Sequence, residues 1–201
     1  MRFWTLIGCG VAMSMISAPV HSQTTKVPAG TVLVEIETER GTIRAALDSA
    51  HAPTTVDNFL RYVDAGLYTN GRFHRTVTPE NQPRDSVHIG VIQGGRQSES
   101  NGFPAIALER TSITGLHHED GTLSMARGGP NTATSDFFVC IGDQPSLDFG
   151  GHRNLDGQGF AAFGRVTSGM EIVRQIQHAP AQGQTLTPPI RILAVRRLPR
   201  S

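Results

Sequence analysis

From Phe73 onward the chain is a succession of short apolar runs with strand character: "FHRTV", "VHIGVIQ", "GTLSMA", "FFVCI", "FAAFGRV" and a closing, alternating "IRILAVRRL". Upstream, "TVLVEIETERGTIRAAL" supplies two more such runs around a "TERG" turn, a hairpin pattern. Only two segments have helical spacing. In "APTTVDNFLRYVDAG", Val56, Phe59, Leu60 and Val63 share one face, Pro53 stands at the start and Gly66 at the end. Met170, Val173 and Ile176 do the same in a shorter stretch from Gly169 to Ile176. That many strands in an open sheet would leave unpaired edges. The pattern therefore predicts a mainly β fold closed into an antiparallel barrel.

A chain of 201 residues builds one domain with a sizeable core. Its 18 basic and 17 acidic residues nearly cancel, and no Lys/Arg run interrupts that balance, which argues against nucleic acid or an acidic membrane surface as partner. Residues 1–22 read as a signal peptide: Arg2 precedes an uncharged apolar stretch from Phe3 to Ala18, and small residues lead to a cleavage point after Ser22. The stretch is shorter than the roughly 20 apolar residues that span a bilayer. A retained anchor, or lipidation at Cys9 in "LIGC", are the other readings of this segment. Residues 23–30 then form a flexible tether, and residues 31–201 the folded domain, exported to the periplasm or secreted. After cleavage only Cys140 remains, so no internal disulfide forms, and its setting in "FFVCIG" predicts a buried thiol.

Three stretches put polar groups beside apolar ones at strand ends: "FHR" followed by "QGG", "LSMARGGPNTATSDFF", and "FAAFGRV". In order and spacing they resemble the cyclophilin-type peptidyl-prolyl cis-trans isomerases, in a secreted bacterial form, over roughly residues 31–197. The resemblance implies a barrel of about eight antiparallel strands capped by two α-helices, with the active groove on its outer face. It also implies one catalytic residue, Arg75. Proline-containing polypeptides, among them unfolded exported proteins, would be the partners, and nothing in the sequence calls for more than a monomer.

The chemistry supports that assignment independently. An amide resists rotation by about 18–20 kcal/mol because its nitrogen lone pair is delocalised. X–Pro bonds differ little in energy between cis and trans yet exchange in tens of seconds. Such a reaction needs neither nucleophile nor cofactor. It needs a group that binds the twisted amide, with its regained lone pair, better than the planar one. A guanidinium is such a group. By position in the family motif, Val91, Phe138, Leu147 and Phe160 would wall a proline pocket, Gln93 would bond the substrate backbone, and Ala126 and Arg127 would form the rim. Arg127 would act through its main chain, with its side chain free to vary. Phe137 belongs to the core, and His74, one residue from Arg75, would point away from it.

Several positions depart from the family. The connection from Arg75 to Gln93 is long, with a polar inserted loop near 78–88. Gly90 stands where a phenylalanine is common, so Ile89 or Val91 would have to supply apolar surface. Asp136 replaces a glutamine in "SDFF"; its carboxylate accepts hydrogen bonds and donates none. Ser146 replaces the tryptophan of cyclosporin-sensitive members, which implies weak cyclosporin binding. The adjacent His117 and His118 diverge and offer no metal-ligand spacing, so they read as a solvated turn. Two other functions stay open: a proline-peptide binding or chaperone-like module in which Gly90 and Asp136 have blunted catalysis, and, more remotely, a hydrolase. The latter lacks a GxSxG elbow and an evident Ser–His–Asp set.

Overall fold

A computed structural model describes, besides Met1, residues 28–83, 86–97 and 102–199. The expected signal peptide and most of the tether lie outside the described residues. Strands β1 (Thr31–Thr38) and β2 (Gly41–Asp48) form the expected hairpin. Helix α1 (Pro53–Asp64) follows, with Val56, Phe59, Leu60 and Val63 all buried, as their spacing requires. Then come β3 (Arg72–Val77), β4 (Val91–Gly95), α2 (Thr111–Thr114), β5 (Thr122–Met125), β6 (Phe137–Cys140), β7 (Ala161–Ser168), α3 (Met170–Gln177), β8 (Ala181–Gln182) and β9 (Thr185–Arg197).

The sheet runs β1-β2-β7-β5-β6-β4-β3-β9, and β9 pairs back onto β1. Eight antiparallel strands thus close a barrel, leaving β8 as a two-residue addition to β9. Closure is what the row of short strands predicted. The helix count differs in one respect: among the described residues there are three α-helices rather than two. The extra one, α2, is a single turn of four residues, too short to show a period in sequence.

The run "VHIGVIQ" pairs as a strand only from Val91. Upstream, the Ile89 N–H donates to Gln82 Oε1 (3.2 Å) and its carbonyl accepts from Gln82 Nε2 (2.7 Å). A side chain of the inserted loop has taken the place of a neighbouring strand. Gln82 is itself buried, so this loop is not wholly solvated.

Strand β6 explains how one barrel serves two purposes. All four of its residues are buried, and alternate side chains enter different apolar clusters. Phe137 and Val139 face the barrel interior, where Phe137 meets Phe59 edge-on at 5.4 Å and Phe73 at 5.8 Å. Phe138 and Cys140 face outward into a second cluster with Val77, Ile89, Val91 and Leu147, against which Ala126 and Phe160 pack. Burial of a phenylalanine side chain contributes roughly 1.5–3 kcal/mol, so Phe137 stabilises the barrel while Phe138 helps hold the outer cluster on it. Burial also pushes the Cys140 thiol well up from its ordinary range, leaving it inert.

Candidate active site

The outer cluster floors a hollow of about 420 Å³ on the barrel wall. Its lining includes every residue expected from sequence: Arg75, Val91, Gln93, Ala126, Arg127, Asp136, Phe138, Leu147 and Phe160. Ladder register accounts for the central ones. Arg75 on β3 is directly opposite Gln93 on β4, and Gln93 is directly opposite Phe138 on β6. Three neighbouring strands therefore present one row of side chains to the same face, about 4.8 Å apart from strand to strand. Val91, two residues before Gln93, joins the same face.

A chain of polar contacts runs along one side of the hollow. Arg75 Nη1 donates to Gln93 Oε1 at 3.0 Å, and Gln93 Nε2 donates to Asp136 Oδ2 at 3.3 Å. Asp136 is seated against Gly95, where a Cβ would fall 1.9 Å from Asp136 Oδ1, so only glycine admits the carboxylate there. His74 does not turn away from this chain as strict alternation predicts. The β3 register shifts between Phe73 and Arg75, and His74 Nε2 comes to 3.5 Å from Asp136 Oδ2. Behind Arg75, Nε and Nη2 both donate to Gln184 Oε1, at 3.0 and 2.6 Å.

The apolar side is held by aromatic geometry. Phe138 and Phe160 meet edge-on with centroids 5.3 Å apart. The Phe160 N–H donates to the Leu147 carbonyl at 2.9 Å, closing the base of the intervening loop and bringing two walls of the hollow together. Ile89 and Val91 both line it, supplying the apolar surface that Gly90 cannot. Thr132, Thr134, Arg153 and Asn154 complete the rim. Sequence reading missed Arg153 and Asn154 because they come from the loop after Leu147, whose path no local pattern reveals.

Arg127 departs from expectation. Its side chain is only 1% exposed and is not free to vary. Nε and Nη2 donate to the Gly159 carbonyl at 2.8 and 2.6 Å, while Nη1 and Nη2 grip Asp156 at 2.7 and 3.0 Å. The guanidinium also lies 5.1 Å from the centre of the Phe160 ring. Hydrogen bonds from Arg127, and then from the Gln158 N–H, hold the Asp156 carboxyl down at about 2.

A second correction concerns His117 and His118. His117 is exposed, but His118 is 2% exposed and is no part of a solvated turn. Its Nδ1 is 2.6 Å from Asp148 Oδ1, its Nε2 is 2.9 Å from Ser124 Oγ, and its ring stacks on Phe138 at 6.0 Å. Burial raises the Asp148 carboxyl, yet the hydrogen bonds from His118 and His117 outweigh it and leave Asp148 below its ordinary range. A Ser–His–Asp chain, not evident in sequence, is thus assembled by the fold. Ser124 has no exposed surface, so the chain props the floor of the hollow and offers no reachable nucleophile. Among the described residues, no group of three or more His, Cys, Asp or Glu side chains is placed to hold a metal ion.

Comparison with known proteins is in accord with this geometry. Residues 33–197 match the family model for cyclophilin type peptidyl-prolyl cis-trans isomerases. The peptidyl-prolyl cis-trans isomerase cyp18 of Streptomyces antibioticus is 35% identical over 150 residues, covering 72% of this chain and 82% of that protein. Isomerase B of Escherichia coli is 32% identical over 146 residues, covering 72% and 84%. A cyclophilin from Cryptosporidium parvum superposes with a TM-score of 0.68 at 23% identity, over 85% of this chain and 99% of that one. A second structure of it, obtained in the presence of the dipeptide Ala-Pro, superposes with a TM-score of 0.67. Barrel, groove motifs and relatives agree, and the chain belongs to the cyclophilin-type peptidyl-prolyl cis-trans isomerase family.

Proposed function

We propose that Arg75 accelerates X–Pro rotation by stabilising the twisted amide, while the proline ring is seated among Val91, Phe138, Leu147 and Phe160. The observation that carries this reading is one juxtaposition: a half-buried guanidinium, braced on both sides by amide oxygens, beside the apolar floor of the hollow. As the amide twists, its nitrogen becomes a hydrogen-bond acceptor, and a pre-aimed N–H donor binds that state better than the planar one. Gln93 and the main chain at Ala126 and Arg127 would hold the substrate backbone. A charge-assisted hydrogen bond contributes about 1.5–3 kcal/mol, so losing Arg75 should slow the reaction on the order of 10- to 100-fold. Arg75→Lys should recover little, because an ammonium lacks the planar fork.

The test is protease-coupled isomerisation of a short X–Pro peptide by wild type and Arg75→Ala. A clear fall in kcat/KM is expected. Equal, background-level rates in both proteins would instead favour a proline-peptide binding module.

The same reading takes the substrates to be proline-containing segments of exported polypeptides. Arg2 and the uncharged run through Ala18 support it. Cell fractionation with mass measurement of the recovered protein checks this. A cytoplasmic protein still carrying Met1–Ser22 would remove it.

A further inference from the structure

We propose that Gln184 is a positioning residue for Arg75, and that the inserted segment after Val77 exists in part to hold Gln184 in place. This rests on the reading of Arg75 given above. A planar guanidinium carries five N–H donors in a fixed fork, so its aim depends on what fixes both its plane and its rotation. Gln93 Oε1 engages the fork at Nη1. Gln184 Oε1 takes the opposite edge, accepting from Nε and Nη2 together. With one amide oxygen at each end, the guanidinium loses the rotations about its long side chain that would carry it off target.

Gln184 is fixed in turn. It lies in the turn between β8 and β9, and its carbonyl accepts from the Thr76 N–H at 2.9 Å, one residue along from Arg75. Asn81, in the inserted segment, then secures the turn. Its Nδ2 donates to Gly183 O at 3.2 Å and to Thr76 O at 3.0 Å, and its carbonyl accepts from Gln184 Nε2 at 3.4 Å. The Thr78 N–H donates to Asn81 Oδ1 at 2.9 Å, so Asn81 is itself capped in place. The insertion is therefore joined through Asn81 and Gln184 to the Arg75 fork.

The test is a double-mutant cycle on the full chain with Arg75→Ala, Gln184→Ala and the double variant. Kinetics come from X–Pro peptide exchange followed by NMR, and the Arg75 Nε–H resonance is recorded in parallel. Gln184→Ala should lower kcat about tenfold, the equivalent of losing one such hydrogen bond, with KM and thermal midpoint nearly unchanged. In the Arg75→Ala background the same substitution should change nothing further. The Arg75 Nε–H, slow to exchange with water in wild type, should exchange quickly in Gln184→Ala. Wild-type activity in Gln184→Ala, or an equal proportional loss in both backgrounds, overturns the proposal. If Arg75→Ala itself retains full activity, the catalytic reading fails instead. The Nε–H signal then still decides the positioning: its persistence in Gln184→Ala overturns that as well.

Discussion

The guanidinium of Arg127 lies 5.1 Å from the centre of the Phe160 ring, at the back of the wall that Phe160 presents to the hollow. The rim arginine thus carries two roles in different parts of the residue. Its main chain borders the groove, and its buried side chain braces an aromatic wall. Arg127→Ala should remove charge-assisted bonds to Gly159 at a cost of about 1.5–3 kcal/mol, with KM for an X–Pro peptide rising several-fold and kcat falling less. Urea unfolding and steady-state kinetics measure both. An unchanged KM together with unchanged stability would return Arg127 to a freely variable position.

Asp156 sets a pH dependence with a definite sign. Its carboxyl titrates at about 2 in the folded protein, against about 3.9 for an unfolded aspartate. The depressed value means its contribution to stability is complete above about pH 4 and is lost as pH falls through about 2. Asp156→Asn should therefore flatten the thermal midpoint against pH between about 4 and 2. Asp148, also held low, keeps the variant's curve from becoming level. Parallel curves for the two proteins would show that Asp156 contributes nothing.

Restoring the family's phenylalanine should harm this protein. A Cβ at Gly90 would stand 2.8 Å from the Ile141 carbonyl, a backbone atom already accepting from Gln144 Nε2. Gly90→Phe should cost about 1–3 kcal/mol by overpacking and lower the thermal midpoint by several degrees. Calorimetry would show whether the strand yields instead.

The buried Ser124–His118–Asp148 chain should be structural. A fluorophosphonate should leave Ser124 unlabelled in mass spectra of the folded protein. His118→Ala should cost about 1–3 kcal/mol for each buried polar group left without a partner. Rapid labelling of Ser124 would revive a hydrolase reading.

Ser146 occupies the short turn Pro145–Leu147, next to the groove-lining Leu147, at the position where the family resemblance implies the indole of cyclosporin-sensitive members. Weak inhibition of the wild type is expected, tightening about two- to tenfold in Ser146→Trp, since an aromatic contact adds about 0.5–1.5 kcal/mol beyond its area burial. Titration of isomerase activity with cyclosporin gives both values.

Much of this was legible in the chain itself. The family resemblance placed Phe138 in the groove, alternation then sent Phe137 to the core, and the spacing of Val56, Phe59, Leu60 and Val63 fixed the buried face of α1. The residues that line the hollow could be named one by one because the family motifs carry them, and most sit on a strand or beside one, where facing follows from local alternation. Local rules fail where a contact depends on which loops meet. Gln184 reaches Arg75 across 109 positions, and Asp148 reaches His118 across 30. The same holds for the Arg127 side chain, which has partners only once the loop ending at Gly159 folds over it. Strand pattern thus determined the barrel, and the family motifs in the sequence the row of groove residues. Only the closed fold decided how their charges are braced, because a hydrogen bond is specified by two positions in space, and the second one is not written beside the first.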